Sequence, residues 1–299
     1  MPAQQGAGAD SELSAVNGTD PSDSAPLGSE AGRLEAPQVR AMFDGIAGVY
    51  DALNTAMTAG LHHRWRARAV DLAHVGPGDR VLDVATGTGD LAFELARRVA
   101  PGGEVIASDF SEGMLSRARA KAAALSDGGD AVRPRFEWGD ALALPYADDS
   151  FDAVTVGFGA RNFSDLSLGL AELARVVRPG GRVVVLEITS PVRPPLSIFY
   201  ELWFDRLVPA LGRATQAATR AAGALRGATM GASEPDAAGS PGMAATIGDA
   251  YTYLPNSVKR FPAPEQLAAE LDRLGLVEIR YVLLAGGIVA IHAGKVAPR

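Results

Sequence analysis

Val81-Leu-Asp-Val-Ala-Thr-Gly-Thr-Gly-Asp-Leu-Ala92, followed at Ser108-Asp109 by an acid that closes a second apolar run, decides how this chain folds. Arg80 to Ala85 is a short β-rich apolar run, and Asp90 to Val99 repeats its apolar residues at helical spacing. Between them Gly87 and Gly89 permit a tight turn and let a ligand come close to the backbone. The unit reads strand, turn, helix. A second strand, Glu104 to Ser108, delivers Asp109 about 20 residues beyond the glycines, where a carboxylate can accept both hydroxyls of a ribose.

Taken alone, Gly87-Thr-Gly-Asp-Leu-Ala92 also fits the dinucleotide fingerprint, so the surrounding charge has to choose the ligand. A pyrophosphate calls for basic side chains or an unopposed helix N-terminus beside the turn. This turn is acidic instead. Asp83 lies inside the first strand, Asp90 opens the helix, Asp109 ends the second strand, and Asp140 follows a predicted third strand, Arg135 to Trp138. Such a cluster suits a ligand with positive charge and an amino group, which S-adenosylmethionine has and NAD lacks. The alternative, that Asp83 and Asp90 merely cap and tie the turn, carries less weight while three strand ends converge on acids.

With 299 residues, 47% hydrophobic and 21% charged, the chain can bury one good-sized core in a single catalytic domain. A net charge of -7 and a pI near 5.2, without a basic stripe, argue against a nucleic-acid partner. The absence of cysteine excludes disulfides, thiolate metal sites and cysteine nucleophiles, and His62, His63, His74 and His292 lack ligand spacing, so no metal is expected. Residues 1 to 36, rich in Ala, Gly, Ser and Asp and without an apolar export signal, read as a disordered acidic tail on a cytoplasmic protein. The domain then spans 37–299, with a low-complexity insertion at about 213–245.

Outside those segments strands and helices alternate. Met114 to Ala124 reads as a helix, Phe151 to Gly157 as a fourth strand, and Leu166 to Val177 as a helix ended by Pro179-Gly180-Gly181. Arg182 to Ile188 is a fifth strand, Pro264 to Leu274 a helix, and Val277 to Leu284 a sixth strand, which Gly286-Gly287 turns into Ile288 to Ala293. The expected fold is α/β and Rossmann-like: a seven-stranded, mostly parallel sheet with one antiparallel strand in a C-terminal hairpin. That hairpin favours the class I methyltransferase version of the architecture over the dehydrogenase version.

Two longer stretches are more specific than any glycine turn. Tyr50-Asp-Ala-Leu-Asn-Thr-Ala-Met-Thr-Ala-Gly-Leu-His-His-Arg-Trp65 resembles the N-terminal signature of the quinone-biosynthesis C-methyltransferases, which serve the menaquinone and ubiquinone pathways, and Arg175 to Thr189 resembles their second signature. The likeness runs from about Val39 to Lys295 and includes Phe158-Gly-Ala-Arg-Asn162, Tyr251 to Ser257 and Arg260-Phe-Pro262. Thr58 and Thr189 stand where the family pattern usually has serine, keeping the hydroxyl, and the insertion after Gly212 is extra.

The resemblance implies S-adenosylmethionine as cofactor, with Thr88 at its methionine end, Asp109 on the ribose, Asp140 and the backbone of Ala141 at the adenine edge, and Gly157 beneath the sulfonium. It implies methyl transfer to a ring carbon of a prenylated hydroquinone. The Ala-, Gly- and Arg-heavy composition favours the demethylmenaquinone reaction over the ubiquinone-precursor one. Methylation of another small phenolic or sterol acceptor, or a non-catalytic cofactor-binding subunit, are the competing readings. A ring carbon becomes nucleophilic once the adjacent hydroxyl loses its proton, and a phenol's pKa is about 10 by analogy with tyrosine. Arg161 is the candidate to stabilise that oxyanion, Asn162 to bond a ring oxygen, Tyr50 to orient the ring and His62 to relay the proton. The bland alternatives are an Arg161–Asp165 ion pair and a His62 that only caps or packs. Pro195 to Leu211 carries Phe199, Tyr200, Trp203 and Phe204 on one helical face, read as a prenyl wall with peripheral contact at the inner membrane face, or as packing on the domain or a second subunit in a homodimer.

Overall fold

Parallel strands cannot be joined by tight turns, so each helix-spaced stretch between two apolar runs becomes a crossover that covers one face of the sheet. The computed structural model describes residues 14–15, 36–48, 50–125, 131–191 and 253–298. Its strands are β1 (Ser14–Ala15), β2 (Arg80–Val84), β3 (Glu104–Asp109), β4 (Arg135–Trp138), β5 (Phe151–Gly157), β6 (Val177–Ile188), β7 (Leu276–Leu284) and β8 (Val289–Val296). They form one sheet in the order β1-β7-β8-β6-β5-β2-β3-β4. From β6 to β4 every pairing is parallel, and β8 runs antiparallel to both β6 and β7. The seven expected strands are thus present, with the antiparallel one inserted between β6 and β7. An eighth, of two residues, pairs Ser14 with Tyr281 and Ala15 with Arg280, which places a short ordered piece inside the predicted tail. The rest of that tail, the 213–245 insertion and the apolar stretch Pro195 to Leu211 lie outside the described residues.

The central strands read as almost unbroken apolar runs because both faces are covered. Val81 and Leu186 face one side with Val70, Leu91, Leu95 and Leu115 of helices α3 (Leu61–Ala73), α4 (Asp90–Val99) and α5 (Glu112–Ala124). Leu82, Val84 and Val185 face the other, with Leu170 and Leu173 of α6 (Leu166–Val176) and with Leu267 and Leu271 of the helix Pro264–Arg273. Each of these residues is less than 5% exposed, so adjacent strand positions feed two separate cores.

One boundary differs from the sequence reading. The strand after α6 starts at Val177, not Arg182, and Pro179-Gly180-Gly181 sits inside it as a bulge between the pairs Phe151–Val177 and Ala153–Arg182. Gly180 takes φ 85°, and a Cβ on Gly181 would collide with the carbonyl oxygen of Asp152. The glycines therefore bend the strand rather than end the helix.

His292 on β8 is buried, its Nε2–H donates to the carbonyl oxygen of Pro264 at 2.9 Å, and its ring stacks on Tyr281. Burial pulls its pKa from 6.5 down to about 4, so between those values the unfolded chain takes up a proton that the folded protein refuses. Stability is therefore lost as pH falls from about 6.5 toward 4. In urea unfolding, the wild type should lose about 2 kcal/mol more than His292→Gln on going from pH 7 to pH 5. Parallel losses in the two proteins would contradict this.

Candidate functional site

The turn after β2 is built by two buried carboxylates. Asp83 receives the hydroxyls of Thr86 at 2.6 Å and of Thr155 on β5 at 2.7 Å. Asp109 accepts the backbone N–H of Gly87 and of Ser111, each at 2.8 Å. Burial pushes both carboxyl groups up to about 6 against those hydrogen bonds. The chain can follow this path because Gly87 and Gly89 take φ 58° and 87°. At Gly89 a Cβ would lie 2.8 Å from the Phe136 ring, whereas at Gly87 it would meet open space.

That open space is a cavity of about 570 Å³ at the carboxyl edge of the parallel strands, a size suited to a small-molecule ligand. Of the residues predicted to hold a cofactor, Asp83, Gly87, Thr88, Asp109, Asp140, Ala141 and Gly157 line it, and Gly89 does not. Gly157 lets β5 form the floor, since a Cβ there would press on Leu91 at 3.0 Å. Asp140 is exposed and accepts the backbone N–H of Leu142 at 2.9 Å. Trp138 is 53% exposed at the rim, with its indole N–H tied to the Phe110 carbonyl oxygen at 3.1 Å. Asp90 points elsewhere: it pairs with Lys121 at 2.8 Å and Arg66 at 3.3 Å. Burial opposes its charge, yet the two cations hold its pKa below the ordinary value. The reading of an acid cluster therefore needs correction. Asp83 is tied to two hydroxyls and Asp90 to two cations, which is the tying role given less weight from sequence.

Helices α1 (Ala36–Ile46), α2 (Tyr50–Thr58) and α3 cover this edge. Asp51, at the start of α2, accepts the Thr88 hydroxyl at 2.6 Å and binds Lys121 at 2.6 Å, so the cover is fastened to the turn itself. Beneath the helices lies a second, mostly apolar cavity of about 100 Å³, which shares Phe43, Tyr50, Arg66 and Phe158 with the first. Arg161 and His62 line it, while Asn162 faces the larger cavity and accepts the Tyr253 hydroxyl at 3.1 Å.

Arg161 does not pair with Asp165, which instead caps α6 by accepting the N–H of Leu168. Its partner is Glu187 at the end of β6, with Nη1 and Oε1 2.5 Å apart. His62 is 2% exposed, and burial, together with the nearby Arg66, lowers its pKa to about 4. Arg66 Nη1 donates to its Nδ1 at 3.2 Å, which leaves the proton on Nε2, 3.4 Å from the Thr55 hydroxyl. Both nitrogens face protein partners, so of the two roles the sequence left open, packing and proton relay, the geometry fits the first, as a neutral bridge between helices.

Sequence reasoning assigned no role to Arg66, Glu187, Asp51, Lys121 or Tyr253. Glu187 left a signal, a carboxylate closing the apolar run Val183 to Leu186; Lys121 left none, being one more cation on an exposed-looking helix.

A family model described as the ubiE/COQ5 methyltransferase family matches residues 32–220 and 238–296, leaving 221–237 unmatched inside the predicted insertion. A demethylmenaquinone methyltransferase from Thermus thermophilus is 44% identical over 85% of this chain and 99% of its own length. A ubiquinone/menaquinone biosynthesis C-methyltransferase from Teredinibacter turnerae is 34% identical over 88% of this chain and 93% of its own. Among solved structures, a SAM dependent methyltransferase from Aquifex aeolicus shares the fold at a TM-score of 0.50 and 16% identity, over 78% of this chain and 89% of that one.

The Asp51 fastening has a dynamic consequence. Asp51→Ala should raise amide hydrogen exchange across Tyr50–Thr58 about tenfold, because it removes charge-assisted bonds of roughly 1.5 kcal/mol, while β2 and β5 keep their protection. Unchanged exchange in α2 would show that the helix is held by other means.

Proposed function

The chain belongs to the ubiE/COQ5 methyltransferase family, and from that premise we propose that it transfers the methyl group of S-adenosylmethionine to a ring carbon of reduced demethylmenaquinone. One observation carries the reading: a polar-edged nucleoside-sized cavity and a small apolar one meet at Tyr50 and Phe158, with a buried arginine in the wall of the second. The menaquinone acceptor is preferred to the ubiquinone precursor because the 44% identical relative bears that name.

The larger cavity fits the donor on its own evidence. Asp109 offers a buried carboxyl to ribose hydroxyls, Gly87 leaves room for close approach, and Asp140, the Ala141 backbone and the exposed face of Trp138 suit an adenine. Thr88 and Gly157 belong to the methionyl end in this reading. When bound, S-adenosylmethionine supplies an electrophilic methyl carried by a sulfonium.

On the acceptor side Arg161 stabilises the hydroquinone oxyanion and Tyr50, shared by both cavities, orients the ring, while Asn162 reaches a ring oxygen from the larger cavity. Phe43, Trp65 and Phe158 keep water from the junction, which strengthens every polar contact made there. His62 serves as a fixed support for Arg66. The prenyl tail calls for peripheral contact with the inner face of the cell membrane from the cytoplasm. Among the described residues no helix is long and apolar enough to cross a membrane. The apolar sequence from Phe199 to Phe204 is the proposed contact, and a homodimer contact is its alternative use.

Mass spectrometry after incubation with labelled donor and reduced demethylmenaquinone should find one ring-carbon methyl; an unmodified quinol would sink the reading. Arg161→Ala should lower kcat at least about 100-fold, while calorimetric affinity for S-adenosylhomocysteine stays within about threefold. Asp109→Ala should do the reverse first, weakening that affinity about 10- to 100-fold. Loss of donor affinity in the arginine variant, or its retention in the aspartate variant, would overturn these assignments.

A further inference from the structure

A guanidinium withdrawn from water needs a counter-charge and a full set of partners. Arg161 and Glu187 are 7% and 1% exposed in their side chains, and both carboxylate oxygens are engaged. Its Oε1 accepts Arg161 Nη1 at 2.5 Å and the backbone N–H of Ile188 at 2.8 Å, and its Oε2 accepts the backbone N–H of Arg161 at 3.2 Å. Nη1 also donates to the carbonyl oxygen of Phe158 at 2.6 Å. These side-chain bonds all fall on one nitrogen. Arg161 Nε, equally buried, has no partner among the described residues, although its side chain lines the small cavity. With two bonds on Nη1 the guanidinium is held in one plane, so its side chain meets the small cavity in a single orientation.

We propose that Glu187 is a positioning residue for the transfer: it locks Arg161 through Nη1, so that the guanidinium is presented to the acceptor's ring oxygen in one orientation, and by its own charge sets the pH at which that ring hydroxyl ionises. The inference rests on the methyl-transfer reading of the same cavity. Without the carboxylate, a lone cation would pull the hydroxyl's pKa down while losing the orientation that makes the oxyanion useful. Other charged and titratable groups face the pair from each neighbouring element: Tyr50 from α2, His62 and Arg66 from α3, with Asp90 behind Arg66, and Tyr253 and Arg260 from the helix over 253–260. Burial keeps His62 neutral and pushes the Tyr253 hydroxyl up, so neither replaces the missing negative charge.

The test uses 1-naphthol, a two-ring phenol whose anion absorbs in the near ultraviolet, bound to the full chain with saturating S-adenosylhomocysteine. In Glu187→Gln the pKa of the bound naphthol should fall by about one to two units, the effect of one unit charge within ~8 Å at an effective dielectric near 20. The rising limb of the kcat–pH profile should move the same way and its plateau fall at least about tenfold, with donor affinity unchanged. An unchanged naphthol pKa and pH profile, with only a lower melting temperature, would overturn the proposal by reducing Glu187 to a structural partner. Should Glu187→Gln fail to fold, Glu187→Asp keeps the charge and shortens the clamp. It should hold the naphthol pKa near wild type and still lose kcat at least about tenfold; wild-type kcat there would equally overturn the idea. If the wild type itself made no methylated quinol, the reading of the cavity would fail separately, whatever the naphthol titration gave.

Discussion

Everything at the site depends on two carboxylates buried where the strands end. Asp83 has no water to turn to, so its oxygens must be met by protein, and the hydroxyls that meet them come from the following turn and from the neighbouring strand β5. Asp109 does the same across the other side, taking the Gly87 N–H. The turn is thereby fixed to β3 and β5 at once. Both carboxyls are pushed up to about 6, so holding them ionised at neutral pH costs stability, a cost that their hydrogen bonds to Thr86, Thr155, Gly87 and Ser111 oppose.

From that turn a chain of polar contacts runs outward into the covering helices. Thr88 binds Asp51, Lys121 joins both to Asp90, Asp90 meets Arg66, and Arg66 holds His62. Five of these six residues bring charge or a titrating ring, yet the pairs nearly cancel, which is the arrangement that lets polar groups sit at an interface without destabilising it. The contacts join α2 and α3 to α4 and α5. Movement of the cover is therefore coupled to Thr88, which lines the larger cavity.

The regular part of this architecture was legible from periodicity. Arg135–Trp138, Phe151–Gly157 and Asp90–Val99 have the bounds their apolar spacing predicts, because packing on both faces of a parallel sheet and local propensity demand the same residues there. The start of β6 was not legible. Pro179-Gly180-Gly181 carries identical composition whether it stops a helix or bulges a strand, and only the register against β5 decides. Asp83 and Gly87 were visible because they sit at the turn itself, Asp109 because it closes the next apolar run, and Asp140 and Gly157 through the family resemblance. What escaped were the partners that arrive from far away: Glu187 is 26 residues from Arg161, and Lys121 lies 31 from Asp90. The acids misled for the same reason. A carboxylate's meaning depends on what faces it, and neither Lys121 nor Arg66 is near Asp90 in the chain.

Phe158 shows why the two cavities must be considered together. It takes φ 60°, a left-handed conformation that costs a residue with a Cβ roughly 1–2 kcal/mol, and its N–H is held by the carbonyl oxygen of Leu186 at 2.7 Å. A glycine at this position would remove the strain but also the wall, since the ring lines both cavities, packs edge-on to Trp65 and lies under the Arg66 guanidinium. The left-handed turn also brings the next backbone so close to the β2 turn that a Cβ on Gly159 would be 2.5 Å from that of Ala85. Strain at one residue thus sets the spacing between the β2 turn and the Arg161 wall. An in-line transfer between two ligands needs that spacing fixed to a fraction of an ångström, and a rigid ring anchored at the end of a parallel strand fixes it better than a loop could.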